Sequence, residues 1–306
     1  MKPKPYQRVA YGLIDSSARL AFKAAIKLRS VSNRYAGRVA RPVHQPASID
    51  DIPWFHSIDL GDGRITPGIK SVATLAAESD ALNLPSNLAG ASVLDVGTWD
   101  GYFAFEAERR GADRVVALDH YAWSVDHLAY RNYHTEAKRA GQVPQPPDEV
   151  PGIWDPVTLP GRAGFDYARN HLHSAIEPVL GDFMTMNLDA LGTFDVVLFL
   201  GVLYHLKDPF LGLRRLRQLT RGTAVIETAG VVLPGWTAEK LWMFLETTEL
   251  NEDPSAWWAP SAAGLVAACR AAGFRDTRTI IEAPAYTGPN EGYSLHYGRF
   301  TVHAYA

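Results

Sequence analysis

The sequence predicts an α/β fold: a seven-stranded, mostly parallel sheet with an antiparallel edge strand, preceded by a helical N-terminal extension. Three observations predict it. Ala91 to Asp119, ASVLDVGTWDGYFAFEAERRGADRVVALD, reads as strand, glycine-bearing turn, helix and strand, which is one βαβ unit. IEPVLGDF and FDVVLFLG are nearly continuous apolar runs, as expected of parallel strands covered on both faces. The last two strand-like runs, Phe274 to Glu282 and Arg299 to Tyr305, have no helix between them and therefore pair antiparallel at a sheet edge.

In chain order, residues 1–45 form a basic extension. From Val9 to Arg38 the residues Leu13, Leu20, Ala24, Leu28, Val31 and Tyr35 fall on one helical stripe, beside Arg19, Lys23, Lys27, Arg34 and Arg38. Such a helix suits an anionic membrane surface, RNA phosphates or simple packing on the main domain. Residues 46–85 form an N-terminal cap: a proline-marked connector, turns at Gly61 to Gly63 and Pro67 to Gly68, and a helix from Gly68 to Leu82. Residues 86–306 form the main domain. After the βαβ unit come a helix over Tyr121 to Ala140 and a Pro/Gly-rich insertion, residues 141–164, of the length and composition of a lid. A helix over Phe165 to His173 leads to the third strand, ending at Asp182, and the fourth begins at Phe194. A helix over Asp208 to Leu219, a fifth strand over Gly222 to Glu227, a helix over Trp236 to Leu245 and a last helix over Ser261 to Ala272 complete the set.

At 306 residues and 47% hydrophobic content the chain can bury a large core. Its single cysteine, Cys269, excludes a disulfide framework, fits a reducing cytoplasm and reads as a buried structural thiol. No apolar run approaches the roughly 18 residues of a membrane span, and the N-terminus lacks a secretory h-region. The expected location is the cytoplasm, with peripheral contact at the inner membrane surface open to residues 1–45. Those residues carry ten lysines and arginines against Asp15 alone, whereas the whole chain has net charge −3, so the remainder is acidic. His120, His127 and His134 recur at seven-residue spacing on one helix; without i, i+4 pairs or cysteine partners they read as a solvated face, and no metal is expected.

The chemistry is concentrated at the C-terminal ends of the strands. Dinucleotide folds need a second glycine where backbone approaches a pyrophosphate, but the turn D-V-G-T-W-D-G carries Trp99 there, between Gly97 and Gly101. A ligand with an ammonium, a carboxylate and a nucleoside suits it better: Asp95 faces the cation, and the turn and helix N-terminus face the carboxylate. That description is S-adenosylmethionine (SAM). Asp119, with His120 beside it, is placed for the two ribose hydroxyls, and Asp182 with Phe183 for the adenine amine and ring. Gly201 opens the loop after the fourth strand, which continues Val202, Leu203, Tyr204, His205. Methyl transfer from a sulfonium needs alignment, and a hydroxyl acceptor must also lose a proton; His205 is the candidate base and Tyr204 the orienting group, while capping of the helix near Asp208 is the structural alternative for His205.

The order LDVGTWDGYF, GADRVVALD, FDVVLFLGVLYHLKDP, AVIET and WWAPSAAGLVAACRAAGF resembles the Rossmann-like class I SAM-dependent methyltransferases. Within them, G-V-L-Y-H and the aromatic-x-P-S run before the last helix resemble the tRNA wobble-uridine 5-oxyacetic acid carboxymethyltransferase branch, from about Pro53 to the C-terminus. That resemblance implies carboxy-SAM held by a lysine after a P-W dipeptide, by the tyrosine of G-V-L-Y-H and by an arginine of the last strand. Tyr204 and Arg299 match. Pro53-Trp54 is followed instead by Phe55-His56, which removes a charge-assisted contact to the donor's extra carboxylate, and Leu206-Lys207 replaces a doubly basic pair. Ordinary SAM is therefore expected ahead of carboxy-SAM.

The leading expectation is O-methylation of a small or medium acceptor such as a glycoside, lipid-linked saccharide or natural product. Trp54, His56, Trp154, Tyr204, Trp258 and Arg299 are the candidate acceptor contacts. The alternatives are a tRNA wobble-uridine methyl or carboxymethyl transferase, with residues 1–45 on phosphate, and a SAM-binding protein without turnover.

Overall fold

The computed structural model describes residues 48–233, 235–281 and 296–306. The expected basic helix of residues 1–45 lies outside them. The described residues belong to one unit, His44–Ala306.

The cap begins with loops tied by short bridges, His56 to Lys70 and Asp59 to Ile65, and leads into α1 (Val72–Ala81), whose N-cap Ser71 accepts from the Thr74 amide. Then come β1 (Ser92–Val96), α2 (Tyr102–Arg109), β2 (Arg114–Asp119), α3 (Tyr121–Ser124), α4 (His127–Arg139), α5 (Ala163–His171), β3 (Glu177–Leu180) and β4 (Phe194–Leu200). The second half holds α6 (Pro209–Leu219), β5 (Thr220–Val232), β6 (Trp242–Phe244), β7 (Trp258–Pro260), α7 (Ala262–Ala271), β8 (Asp276–Ile281) and β9 (His296–Tyr305). Asp208 caps α6 through the Leu211 amide, with Pro209 filling the first helical position, where a missing N–H leaves nothing unsatisfied. Ser261 caps α7 in the same way through Gly264.

The main sheet runs β3-β2-β1-β4-β5-β9-β8. β1 to β5 are parallel, and β9 is antiparallel to both β5 and β8. The expected fold class is therefore the observed one. After β1 the chain builds outward through β2 and β3, then crosses to the other side of β1 for β4. The crevice outside the ends of β1 and β4 is the switch point where such sheets bind ligands. Strand alternation fixes the two cores: Leu94, Val116, Val197 and Ile226 face α6 and α7, whereas Val93, Ala117, Leu198 and Val225 face Trp54, Phe105, Trp123 and Phe165. Cys269 is fully buried and burial pushes its thiol up to about 12, as a structural cysteine requires.

Two expected elements differ. The helix over Trp236 to Leu245 is absent; residues 242–244 form β6, paired antiparallel with β7. Its backbone is satisfied across the hairpin instead of along a helix, with Leu245 N donating to Trp257 O and Ser261 N to Leu241 O, each at 2.9 Å. The helix over Tyr121 to Ala140 is broken at Val125, where Asp126 N donates to Ile153 O (2.8 Å) and Asp155 N to Ser124 O (2.7 Å). The insertion is thereby a strap stitched to the junction of α3 and α4, with 3₁₀ turns of its own at Pro147–Glu149 and Pro160–Arg162. Among the described residues no helix is long and apolar enough to cross a membrane.

The strap depends on Gly161. A Cβ there would lie 2.1 Å from the Ala122 carbonyl oxygen and 2.7 Å from that of Val125. Backbone cannot yield as a flexible side chain can, so Gly161→Ala should lower stability by about 1–3 kcal/mol in denaturant unfolding. Full stability would show that strap and helix are not in this contact.

Candidate functional site

The turn after β1 is built for conformations that side chains disfavour. Gly97 (φ +76°), Trp99 (φ +50°) and Gly101 (φ +91°) all lie in the left-handed region. A Cβ on Gly97 would sit 2.6 Å from Val202 Cγ2, so the β1 turn and the exit loop of β4 touch across the crevice. Trp99 is non-glycine there because its surroundings hold it: its amide donates to Asp119 Oδ2 (2.9 Å), its carbonyl accepts from Trp123 Nε1 (2.8 Å), and its indole is stacked between Phe55 (4.2 Å) and His127 (4.6 Å). His127 is thus a packing residue, not part of a solvated face, and its ring is held neutral, with burial lowering it to about 4. Among the described residues no group of acids, histidines and cysteines is arranged to hold a metal.

Asp95, Asp100 and Asp119 are all buried around this turn. Asp95 accepts from the Thr98 hydroxyl (2.7 Å). Asp100 Oδ2 accepts from the amides of Phe55 (2.7 Å) and His56 (2.9 Å), pinning the cap to the glycine turn. Neither Thr98 nor Asp100 is a candidate by sequence; an acid beside a turn glycine is the only signal. Asp119 accepts from Trp99 N on Oδ2 and from Ala122 N (3.0 Å) and Trp123 N (3.4 Å) on Oδ1. The carboxylate is thus held in place by backbone amides at the end of β2, where the ribose hydroxyls are expected.

Burial raises Asp95 and Asp100 to about 7 and Asp119 to about 6, with the negative charge of Asp119 adding to the first two. Because these folded values exceed the unfolded ones, the fold binds more protons than the unfolded chain between about pH 4 and 7, and stability falls as pH rises through that window. A cationic ligand reverses the preference by favouring the ionised acids. SAM affinity should therefore rise as pH climbs through about 6 to 7, level off above, and be accompanied by proton release; calorimetry in buffers of different ionisation enthalpy measures both. Affinity that falls over this range would contradict a cation at these acids.

Asp182 and Phe183 come after β3, whose end is tied to β2 by Gly181 N donating to Asp119 O (3.2 Å). Asp182 is half-buried and accepts from Met184 N and the Thr185 hydroxyl, which makes it a turn cap at the crevice rim. Phe183 departs from expectation. It is buried in the main core against Phe199 (5.3 Å) and under Arg215 (5.8 Å), so its ring has no free face for adenine.

The exit loop of β4 starts at Gly201 (φ +70°), whose would-be Cβ lies 3.7 Å from the Arg299 guanidinium and 3.9 Å from the Tyr204 hydroxyl. Gly201, Tyr204 and Arg299 are therefore brought together. The Arg299 guanidinium lies 5.2 Å over the Tyr204 ring, but it is already paired with the Glu227 carboxylate on β5. Burial raises the Tyr204 phenol, and Arg299 partly offsets that. His205 Nδ1 lies 3.1 Å from the Ser255 carbonyl oxygen, and burial lowers its pKa, so it is neutral near pH 7. It does not cap α6; Asp208 does.

The remaining acceptor candidates divide. Trp54 is core: 3% exposed, edge-on to Tyr167 (6.0 Å), with Nε1 donating to Ile49 O (2.9 Å), so it contacts no acceptor. His56 is also buried, 3.6 Å from Asp100, with Nδ1 lacking a hydrogen-bond partner; burial, then Lys70, lowers it to about 3. Trp154 packs on His120 (5.5 Å) and Tyr121 (4.8 Å), beside the end of β2 and the ribose candidates. Trp258 is half-buried on the β6–β7 hairpin, 5.3 Å from Phe244, with Nε1 donating to Lys207 O (3.3 Å). The neighbouring Trp257 N donates to Tyr204 O (2.8 Å), which fixes this hairpin against the exit loop.

The family model described as a methyltransferase domain matches residues 71–279. The tRNA U34 carboxymethyltransferase of Psychrobacter cryohalolentis is 27% identical over 216 residues, 66% of this chain and 48% of that protein. The protein of the same name from Methylococcus capsulatus is 30% identical over 203 residues, 65% of this chain and 49% of that one. The chain thus spans about half the length of the curated relatives it matches. Among solved structures, the N-terminal domain of EvdMO1, crystallised in the presence of SAH and D-fucose, has a TM-score of 0.51 at 16% identity, covering 83% of this chain and 91% of that one. It shares the fold.

Proposed function

The chain belongs to the methyltransferase domain family and is a SAM-dependent methyltransferase, and we propose that it transfers a methyl group from SAM to a hydroxyl oxygen of a tRNA wobble uridine. The nucleoside acceptor is supported by the relatives, which are named for tRNA U34 across the matched domain. This is the alternative expected from the sequence and not the leading one, a small acceptor.

One observation supports the hydroxyl. His205 stands at the exit of β4 as a neutral imidazole. The β1 turn would hold the carboxylate of SAM, Asp95 its cationic end, Asp119 and His120 its ribose, and Asp182 the adenine amine. Tyr204 orients the acceptor oxygen and His205 takes its proton as the methyl carbon leaves sulfur.

Charge supports methyl over carboxymethyl transfer. A carboxylated donor needs a cation free to meet it, but Arg299 is already neutralised by Glu227 and the position after Trp54 and Phe55 is a buried neutral His56. Enzyme incubated with methyl-labelled SAM and unmodified or hydroxylated tRNA, followed by nucleoside mass spectrometry, tests the reading. A methylated uridine is expected. A carboxymethylated uridine, or label absent from tRNA, contradicts it.

A second reading, a glycoside acceptor, is favoured by the aromatic hairpin beside Tyr204, where Phe244, Trp257 and Trp258 lie together. Such rings stack on sugar faces as well as on bases. Label appearing on glycosides and not on tRNA would select it.

A further inference from the structure

The loop ahead of β7 turns through Asn251 (φ +54°) and Glu252 (φ +59°), two consecutive non-glycine residues in the left-handed region. It is anchored to α4 by the ion pair of Lys138 with Glu252 and by His134 Nε2, 2.9 Å from the Glu252 carbonyl oxygen. A turn held in so unfavourable a conformation is over-determined by its surroundings, and it fixes the place of the next residue, Asp253. Asp253 Oδ1 accepts from the Ser255 hydroxyl (2.6 Å) and from the Ser255 amide (2.8 Å).

His205 completes the chain of hydrogen bonds. Its Nδ1 lies 3.0 Å from Ser255 Oγ and 3.1 Å from the Ser255 carbonyl oxygen. A serine hydroxyl has one proton, and that of Ser255 goes to Asp253, which as a carboxylate only accepts. Ser255 Oγ therefore faces His205 with lone pairs alone, and the carbonyl beside it does the same. Two acceptors meet Nδ1, so Nδ1 carries the hydrogen and the lone pair of the neutral ring is on Nε2.

We infer that Asp253 and Ser255 are positioning residues that lock His205 in its Nδ1–H tautomer and leave Nε2 as the proton acceptor of the transfer, an inference that rests on His205 being the base. In the step, the acceptor oxygen forms its bond to the methyl carbon as the carbon–sulfur bond breaks. The electron pair of that bond stays on sulfur, which becomes a neutral thioether, and the hydroxyl proton moves to Nε2. The imidazolium keeps its Nδ1–H bonds to Ser255, and no proton passes beyond Nδ1. The charged groups facing the ring are Asp253, which favours the imidazolium, and Arg299, which opposes it; Tyr204 lies at a ring separation of 4.0 Å.

Long-range ¹H–¹⁵N spectra of the full-length protein, with His205 assigned by comparison with His205→Gln, read the tautomer without acceptor or turnover. The wild type should show a protonated Nδ1 and a bare Nε2. Asp253→Ala frees the serine proton to donate to Nδ1, so the tautomers should mix. Asp253→Asn keeps an acceptor oxygen, and the double variant Asp253→Ala/Ser255→Ala removes the competing donor; both should restore the Nδ1–H form. In kinetics, Asp253→Ala should also move the acid limb of the kcat profile to lower pH, because the negative charge that raises His205 is gone. A wild-type ring protonated on Nε2, or a tautomer unmoved in Asp253→Ala, overturns the inference. A fully active His205→Ala enzyme whose parent shows the Nδ1–H tautomer overturns only the base reading.

Discussion

Asp119→Ala is expected to abolish measurable SAM binding and to destabilise the fold at the same time. The carboxylate satisfies the buried amide of Trp123 and the part-buried amides of Trp99 and Ala122, and a buried donor left without a partner costs about 1–3 kcal/mol. The amide of Trp99 matters most. Its residue sits at φ +50°, and without the bond to Asp119 little holds the turn against relaxing to an ordinary conformation. A loss of roughly 3 kcal/mol or more in denaturant unfolding is expected, with calorimetric SAM binding lost at temperatures where the variant is still folded. Asp119→Asn should be intermediate, because one oxygen still accepts while the amide group meets donors with donors. SAM affinity unchanged in folded Asp119→Ala would remove both the ribose assignment and the claim that this acid shapes the turn.

His205→Ala should lower kcat by about 10²- to 10⁴-fold, the range of a positioned general base, while leaving SAM affinity as it was. The separation comes from geometry: His205 is bonded to Ser255 on the far side of the exit loop and to none of the acids around the β1 turn. Substitution removes one partner of a part-buried contact and leaves the switch point of the sheet untouched. Full activity would dismiss His205 as base and favour an acceptor that needs no deprotonation.

Much of this architecture is legible in the chain because it repeats a local pattern. Near-continuous apolar runs mark β1, β2 and β4, glycine marks the crevice turn, and two final strand-like runs without a helical sequence pattern between them mark the antiparallel edge. The illegible parts depend on partners distant in sequence. Asp100 reads as a turn acid until the amides of Phe55 and His56 are seen to end on it. Phe183 succeeds a strand-end acid as an adenine-stacking residue would, yet the distance to Phe199 places it in the core. The run over Trp236 to Leu245 has apolar spacing compatible with a helix, but its hydrogen bonds go across to residues 257–261, where the rings of Trp257 and Trp258 meet Phe244. Trp154 is recognisable as something to pack, and only the bridge to Val125 shows that it seats the strap beside His120.

The change of acceptor has the same origin. Acidity of the chain beyond residue 45 and its aromatic content favour a small ligand, but bulk charge describes a whole surface, whereas an acceptor is chosen at the few residues around Tyr204 and His205. The proposed tRNA nucleoside acceptor rests on the names of the relatives, and the proposed donor on the charge state at Arg299 and His56.

Choice of donor decides between methyl and carboxymethyl transfer, and it is open to direct titration. The full-length protein, titrated with SAM and with carboxy-SAM in one calorimetric series, should bind SAM more tightly, since Arg299 is neutralised by Glu227 and His56 carries no charge. Tighter binding of carboxy-SAM would show that a cation of the site is free to meet the extra carboxylate, and methyl transfer from SAM would be the wrong reaction.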